Sequence, residues 1–145
     1  MSYFTTYQIN DHIYQLKDPM GVLTTLIIGN EKALLIDTAY GIGNLKKEIE
    51  NLTTLPLIVI NSHGHMDHSG GNFQFDEVFI DKRDLELCIL HNNFKKRNDN
   101  IETATKNNIL PDNFEENINK LLIQPNSETL NTLNNMVEKL RKILF

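Results

Sequence analysis

An apolar strand, an amphipathic helix and a second apolar strand follow one another in the middle of the chain. Residues Ala33–Ile36 form the first strand pattern, apolar residues recur at helical spacing from Ile42 to Leu52, and Leu57–Ile60 is a continuous apolar run. A continuous run of this kind is typical of a strand that is buried on both faces. Strands joined through a helix lie parallel, with a right-handed crossover. The pattern therefore predicts an α/β fold of the α+β type, with a sheet that is partly parallel.

The residues before this unit are expected to add antiparallel strands, which makes the predicted sheet mixed. Gln8–Leu16 has a loose strand pattern, and Leu23–Ile28 is rich in strand-forming residues. The pair Gly29-Asn30 is a turn signal, so Leu23–Ile36 is predicted to be a hairpin. Glu77–Ile80 is predicted to be one more short strand.

The second half of the chain is predicted to be helical. All seven glycines lie in the first half, which indicates tight connections early and long elements later. Asp81 is a suitable N-cap for a helix to about Phe94, and Asn98–Lys120 is expected to be helical in pieces. A last helix is expected from Ser127, with apolar residues on one face.

Length and composition fit one water-soluble domain. We expect a single domain over residues 1–145, strand-rich in 1–81 and helical in 82–145. The formal net charge of −5 argues against a nucleic-acid-binding protein, and no apolar run is long enough for a membrane helix. The chain opens without a secretory signal pattern, and its single cysteine, Cys88, fits a reducing compartment. These features predict a cytoplasmic protein that binds neither nucleic acid nor membrane.

Metal-ligating side chains are concentrated directly after the Leu57–Ile60 strand. Four of them fall within six residues: His63, His65, Asp67 and His68. Residues two apart in an extended segment point the same way, so the first two histidines are expected to face one ion. The glycines at positions 64, 70 and 71 are expected to permit the sharp backbone path that gathers four ligands. Imidazole and carboxylate ligands suit zinc, with iron or manganese as alternatives, so the segment predicts a site for one or two ions.

The same residues resemble the metallo-β-lactamase superfamily, whose hallmark is His-x-His-x-Asp-His after a buried strand. The segment Leu34–Ala39 is similar to the family's earlier strand, which ends in an aspartate followed by small residues. The resemblance extends from about Ile9 to about His91. It implies a metallo-β-lactamase-like fold, of which this chain contains the N-terminal half.

The resemblance also implies a role for each residue. His63 and His65 would bind a first metal ion, and Asp67 and His68 would bind a second. Asp37 would orient the metal loop by hydrogen bonding. The implied activity is metal-dependent hydrolysis of a small molecule that the sequence does not identify, with Asp67 also assisting the attacking water.

The chain departs from the family in the residues that complete its two metal sites. Those ligands lie in the second half of the family's fold, whereas this chain has no histidine after His91. We expect a truncated or an internally deleted chain, with Pro125–Phe145 as the family's terminal helix in the second case. The alternative function is a non-catalytic remnant, or a metal-binding or interaction module that needs a second chain. Homodimerisation is the corresponding hypothesis, since a half-fold leaves one sheet face uncovered.

Three further residues have weaker signals. His91 is interpreted as a partly exposed helix histidine, with a third metal ligand as the alternative. His12 is assigned no role. Cys88 is expected to act as a small buried hydrophobic residue and not as a metal ligand or nucleophile.

Overall fold

The computed structural model describes residues 2–92 and 94–108, which form one five-stranded sheet and the helices around it. The strands, in chain order and in sheet order, are β1 Thr5–Gln8, β2 Ile13–Lys17, β3 Leu23–Ile28, β4 Ala33–Ile36 and β5 Leu57–Ile60. The α-helices of the described residues are α1 Leu45–Leu52, α2 Met66–Ser69, α3 Leu85–His91 and α4 Phe94–Lys106. The helix predicted from Ser127 and the end of the predicted helical stretch Asn98–Lys120 lie outside the described residues.

The sheet is mixed, as predicted. Strands β1 to β4 pair antiparallel with their neighbours, and β4 and β5 pair parallel, with Ala33 opposite Leu57. Helix α1 connects the two parallel strands and is capped by Asn44, whose side chain accepts a hydrogen bond from the Lys47 backbone N–H at 2.9 Å. The α/β fold class is therefore confirmed.

Two strand predictions were wrong in detail. Gln8–Leu16 is not one strand, because the chain turns at Asn10, whose Oδ1 accepts hydrogen bonds from the backbone N–H groups of His12 and Ile13 at 2.8 and 2.9 Å. Glu77–Ile80 forms only an isolated parallel bridge, in which Phe79 pairs with Ile60. Val78 and Ile80 are buried, so the segment packs against the fold although only Phe79 pairs with the sheet.

The predicted helix from Asp81 is divided. Asp81 caps a 3₁₀ turn over Lys82–Asp84 by accepting a hydrogen bond from the Arg83 backbone N–H at 2.9 Å. Helix α3 follows and ends at His91, and α4 then begins as a separate helix. Among the described residues, no helix combines the length and the apolar character needed to cross a membrane.

The hydrophobic core lies on one face of the sheet. Leu16, Leu26 and Leu35 are fully buried there, together with Val59 and the α1 residue Leu45. This packing holds the carboxyl ends of β4 and β5 side by side, and the residues that follow those two ends form the candidate site.

Candidate metal centre

The predicted metal-binding segment begins where β5 ends. The backbone N–H of Asp37, directly after β4, donates to the Ile60 carbonyl at 2.8 Å, so the two strand ends are joined at this point. In α/β folds, sites form outside the carboxyl ends of neighbouring parallel strands. The predicted metal-binding segment therefore lies at the edge of the sheet where sites of α/β folds form.

Three of the four predicted ligands lie together. The ligand atoms of His63, Asp67 and His68 all lie within 4.8 Å of one another, and each of the three residues is half-buried. His68 Nε2 lies 3.2 Å from Asp67 Oδ2. The short helix α2 brings Asp67 and His68 to His63, so helical geometry, and not an extended chain, sets this arrangement.

One carboxylate orients both clustered imidazoles. His68 Nδ1 donates to Asp37 Oδ2 at 2.8 Å. The Ser62 hydroxyl donates to the same oxygen at 2.8 Å, so its oxygen is left to accept from His63 Nδ1, which lies 3.0 Å away. With the proton of each ring on Nδ1, both Nε2 atoms carry a free lone pair, which is the form that binds a metal ion. The donor set and its orientation therefore fit a divalent metal ion.

Asp37 is itself held in a specific conformation. It is 6% exposed, and its φ of 68° lies in the left-handed region that residues other than glycine seldom adopt. Its Oδ1 accepts the Ser62 backbone N–H at 2.7 Å. Strained backbone of this kind is found mainly at functional sites, where surrounding contacts maintain it. The contacts of Asp37 match the orienting role that the family resemblance implied.

A buried amide pair fixes the backbone of His68. The His68 carbonyl accepts hydrogen bonds from the Thr38 backbone N–H at 2.8 Å and from Asn61 Nδ2 at 2.9 Å. Asn61 in turn pairs with Asn72, whose Nδ2 donates to Asn61 Oδ1 at 2.7 Å. Sequence reasoning gave these residues no role, although an asparagine ending an apolar strand, as Asn61 does, is a signal for a buried polar contact.

The glycines near the ligands serve a purpose different from the one predicted. Gly70 and Gly71 have φ values of −63° and −90°, which any residue adopts, so they do not supply an unusual backbone path. A Cβ at Gly64 would lie 2.6 Å from the Asp84 carbonyl oxygen and from the Cys88 backbone nitrogen. These glycines are required because the metal loop packs directly against other backbone.

His65 lies beside this cluster. It is exposed and directly precedes α2, and its ring centroid lies 4.9 Å from that of His63 and 5.2 Å from that of His91. Its ligand atoms do not belong to the described group of three. A first ion shared by His63 and His65 remains a prediction.

His91 contacts the site through the backbone. Its Nδ1 accepts a hydrogen bond from the Met66 N–H at 3.3 Å, so the proton of the neutral ring lies on Nε2. In this tautomer Nε2 has no lone pair with which to bind a metal ion. Burial lowers the pKa of His91, and the positive charge of Lys96 lowers it further. His91 therefore supports the start of α2 in this structure.

His12 and Cys88, the other two residues with weak sequence signals, lie outside the cluster. His12 is exposed, and its Nδ1 lies 3.1 Å from the Ile28 carbonyl oxygen. Cys88 is buried, and burial raises the pKa of its thiol, which keeps it neutral. Its sulfur accepts a hydrogen bond from Asn92 Nδ2 at 3.2 Å, so it has a polar contact in addition to its packing.

Comparison with known proteins places this geometry in context. The sequence matches the family model of the metallo-beta-lactamase superfamily over residues 18–117. It is 32% identical over 92 residues to the acyl-coenzyme A thioesterase MBLAC2 of Bos taurus and to that of Homo sapiens. Each alignment covers 55% of this chain and 30% of the relative, so the chain spans less than a third of the length of these proteins.

Solved structures show the same fold. The structure of VMB-1 at pH 5.5 matches with a TM-score of 0.50 and 19% identity, over 62% of this chain and 48% of that one. A metallo beta lactamase from Erythrobacter litoralis matches with a TM-score of 0.50 and 15% identity, over 63% of this chain and 47% of that one. At these identities the likeness concerns the fold alone.

Proposed function

Because the chain belongs to the metallo-β-lactamase superfamily, we propose that it binds a divalent metal ion and catalyses a metal-dependent hydrolysis. The observation that carries this proposal is the group of His63, Asp67 and His68, whose ligand atoms lie within 4.8 Å of one another. Zinc is the first candidate, since two imidazoles and a carboxylate are a common zinc ligand set. Iron and manganese are the alternatives, and His65 is the proposed additional ligand beside His63.

The proposed substrate class is a thioester. The curated relatives at 32% identity are named acyl-coenzyme A thioesterases, and the described site lies on the surface, where a small molecule can reach it. Hydrolysis of a thioester breaks the bond between the acyl carbon and sulfur, and water supplies the hydroxyl group of the acid and the proton of the thiol. The acyl group and the thiol carrier remain to be identified by assay.

The residues of the site have distinct roles in this proposal. A divalent ion supplies Lewis acidity, which makes water a nucleophile at neutral pH. Asp67, whose side chain is 36% exposed, is the proposed proton acceptor for the attacking water. Asp37 is buried and orients His68, so it is a positioning residue and does not contact substrate.

The test combines metal content with turnover. The chain, purified without chelator, is assayed on short-chain and long-chain acyl-coenzyme A thioesters before chelation, after chelation and after zinc is restored. We expect turnover that the chelator removes and zinc restores, and that Asp67→Ala abolishes. His12→Ala is the matched control, because His12 lies in the turn between β1 and β2, beside the Ile28 carbonyl, and does not belong to the cluster. Turnover that survives both chelation and Asp67→Ala would contradict the proposal.

A second candidate function is a metal-binding module without catalysis. The observation that favours it is that the close ligand group of the described residues has three members, His63, Asp67 and His68, while His65 lies outside it. A stoichiometric metal ion that depends on His63 and His68, without turnover of any ester or thioester tested, would favour this candidate. The cytoplasmic location and the absence of nucleic-acid partners remain predictions from composition.

A further inference from the structure

Tyr40 is a partly buried aromatic residue at the edge of the candidate metal centre. It lies three residues after Asp37, beyond the carboxyl end of β4. Its side chain is half-buried and packs against the hydrophobic core. A tyrosine in such a position has a ring held by apolar contacts and a polar tip that can meet water or a ligand.

The backbone at Tyr40 runs along the end of α2, the helix that carries Asp67 and His68. The backbone N–H of Thr38 donates to the His68 carbonyl at 2.8 Å. A Cβ at Gly70 would lie 2.5 Å from the Tyr40 carbonyl oxygen, so the two segments are in direct contact. Tyr40 is therefore held beside the helix that positions two members of the ligand cluster.

The backbone on both sides of Tyr40 has an unusual conformation. Ala39 and Gly41 have φ values of 55° and 77°, in the left-handed region. A residue with a Cβ, such as Ala39, keeps this conformation where surrounding contacts maintain it, which is found mainly at functional sites. Here the backbone N–H of Gly71 donates to the Ala39 carbonyl at 3.2 Å. Packing against the metal loop thus fixes the direction in which the Tyr40 side chain leaves the backbone.

The hydroxyl of Tyr40 is available to a ligand. Within residues 2–92 and 94–108 it has no hydrogen-bond partner, and it is not one of their buried unpaired polar atoms, so it reaches the surface. Burial raises the pKa of Tyr40, and the negative charges of Asp67 and then of Asp18 raise it further. The phenol therefore keeps its proton and is a hydrogen-bond donor within electrostatic range of Asp67.

We infer that Tyr40 is a catalytic residue of the thioester hydrolysis proposed above, and that its hydroxyl donates a hydrogen bond to the carbonyl oxygen of the substrate. The inference rests on the proposed function. When the oxygen of water bonds to the acyl carbon, one electron pair of the carbonyl double bond moves onto the carbonyl oxygen, which becomes negatively charged. Asp67 accepts the proton that this water loses.

The reaction is completed without a change in the protonation of Tyr40. The carbonyl double bond forms again, the bond between carbon and sulfur breaks, and sulfur leaves with the electron pair. The proton passes from Asp67 to the thiolate, so the products are a carboxylic acid and a thiol. Tyr40 keeps its proton throughout and stabilises the negative charge on oxygen while that charge exists.

The chemistry of the neighbouring groups favours Tyr40 for this role. The clustered imidazoles already donate their Nδ1 protons, His68 to Asp37 and His63 to Ser62. Carboxylates would repel a developing negative charge, whereas the neutral phenol attracts it. A donor that is fixed before the reaction and binds the charge more strongly than the uncharged carbonyl accelerates the chemical step.

Tyr40→Phe tests the role, because it removes the hydroxyl and keeps the ring. On acyl-coenzyme A thioesters we expect kcat to fall by about 100–1,000-fold, with KM and zinc content close to those of wild type. Tyr14→Phe is the matched control, since Tyr14 is half-buried against the same core but lies in β2, and it should keep the wild-type kcat. An unchanged kcat in Tyr40→Phe would overturn the inference, and so would a fall in kcat that is accounted for by lost zinc.

NMR of the zinc-loaded chain supplies a measurement that needs no turnover. The chain has four tyrosines, which can be labelled isotopically at Cζ. The probe is a trifluoromethyl ketone analogue of the acyl-coenzyme A thioester, which adopts a tetrahedral form and cannot be hydrolysed. We expect the probe to shift the signal that is missing in Tyr40→Phe and to leave the Tyr14 signal in place. A bound probe that leaves the Tyr40 signal unshifted would overturn the inference.

Failure of this inference and failure of the proposed function give different results. A wild-type chain that hydrolyses no thioester, with or without added zinc, would remove the proposed function and the role of Tyr40 with it. Turnover in wild type with an equal kcat in Tyr40→Phe would remove the role of Tyr40 alone. Turnover that falls in Tyr40→Phe and not in Tyr14→Phe would support both.

Discussion

Oδ2 of Asp37 lies 2.8 Å from Nδ1 of His68, and the same oxygen accepts the hydroxyl of Ser62, whose oxygen lies 3.0 Å from His63 Nδ1. One buried carboxylate thereby determines the orientation of two imidazoles. Asp37 follows β4 and Ser62 follows β5. Because these two strands pair in parallel, their ends lie side by side and Asp37 can reach the residues that follow β5.

Asp37→Asn should weaken metal binding without unfolding the protein. Asp37 accepts through both oxygens, from His68 Nδ1 and the Ser62 hydroxyl at Oδ2 and from the Ser62 backbone N–H at Oδ1. An amide has one acceptor oxygen, so its NH₂ group would face a donor and the imidazoles would lose their common orientation. Removal of such an orienting partner lowers metal affinity by about 10–100-fold. Competition with a chromophoric chelator measures the change, and Asp11→Asn, at an exposed position, is the control. Equal affinity in wild type and Asp37→Asn would refute the orienting role.

Histidine substitutions should divide into two groups by metal content. His63→Ala and His68→Ala each remove one member of the close cluster and should reduce bound zinc to a small fraction of the wild-type amount. His12→Ala should retain full occupancy. His65→Ala decides whether this residue is a ligand: reduced zinc content, measured by elemental analysis, is expected, and unchanged content would remove His65 from the ligand set.

Gly64→Ala should destabilise the fold, although the backbone of Gly64 needs no special conformation. The added Cβ would lie 2.6 Å from two backbone atoms of the segment that packs against the metal loop, and backbone cannot move aside as a side chain can. Overpacking of this kind costs about 1–3 kcal/mol of unfolding free energy. Urea unfolding followed by circular dichroism measures the loss. Glu31→Ala, at an exposed turn position, should change stability little, and equal stability of both variants would contradict the packing argument.

Asp18 should make the protein less stable as pH rises. Burial raises the pKa of this carboxyl to about 6, although the backbone N–H of Val22 donates to Oδ1 at 2.8 Å. Between about pH 4 and 6 the Asp18 carboxyl therefore stays protonated in the folded state, whereas in the unfolded chain it loses its proton. Unfolding free energy attributable to Asp18 falls across this window, and the destabilisation is complete above it.

Asp18→Asn tests this pH dependence. The amide cannot ionise, so the variant should lack the decline between about pH 4 and 6. The unfolding free energy of Asp18→Asn relative to wild type should rise with pH by an amount on the order of 3 kcal/mol. Chemical denaturation at several pH values measures the difference. Parallel pH curves for wild type and Asp18→Asn would show that Asp18 titrates alike in both states.

The local elements were predictable where the sequence pattern is strong and local. The run Leu57–Ile60, the hairpin of β3 and β4, and helix α1 follow from apolar periodicity and turn chemistry that neighbouring residues determine. The division of Gln8–Leu16 was missed because one side chain, Asn10, satisfies two backbone N–H groups and turns the chain. Such a contact depends on the geometry of one side chain, which the spacing of apolar residues does not predict.

The sequence by itself determined the mixed sheet, the position of the ligand-rich segment after a buried strand, and the identities of the candidate metal ligands. Only the tertiary structure decided which of those ligands lie together. His63, Asp67 and His68 meet because α2 turns the chain and because Asp37, distant in sequence, fixes the two imidazoles. Ligand types are a property of residues, whereas distances between them depend on the packing of parallel strand ends. The same packing buries one face of the sheet and leaves the other open, which no single strand pattern reveals.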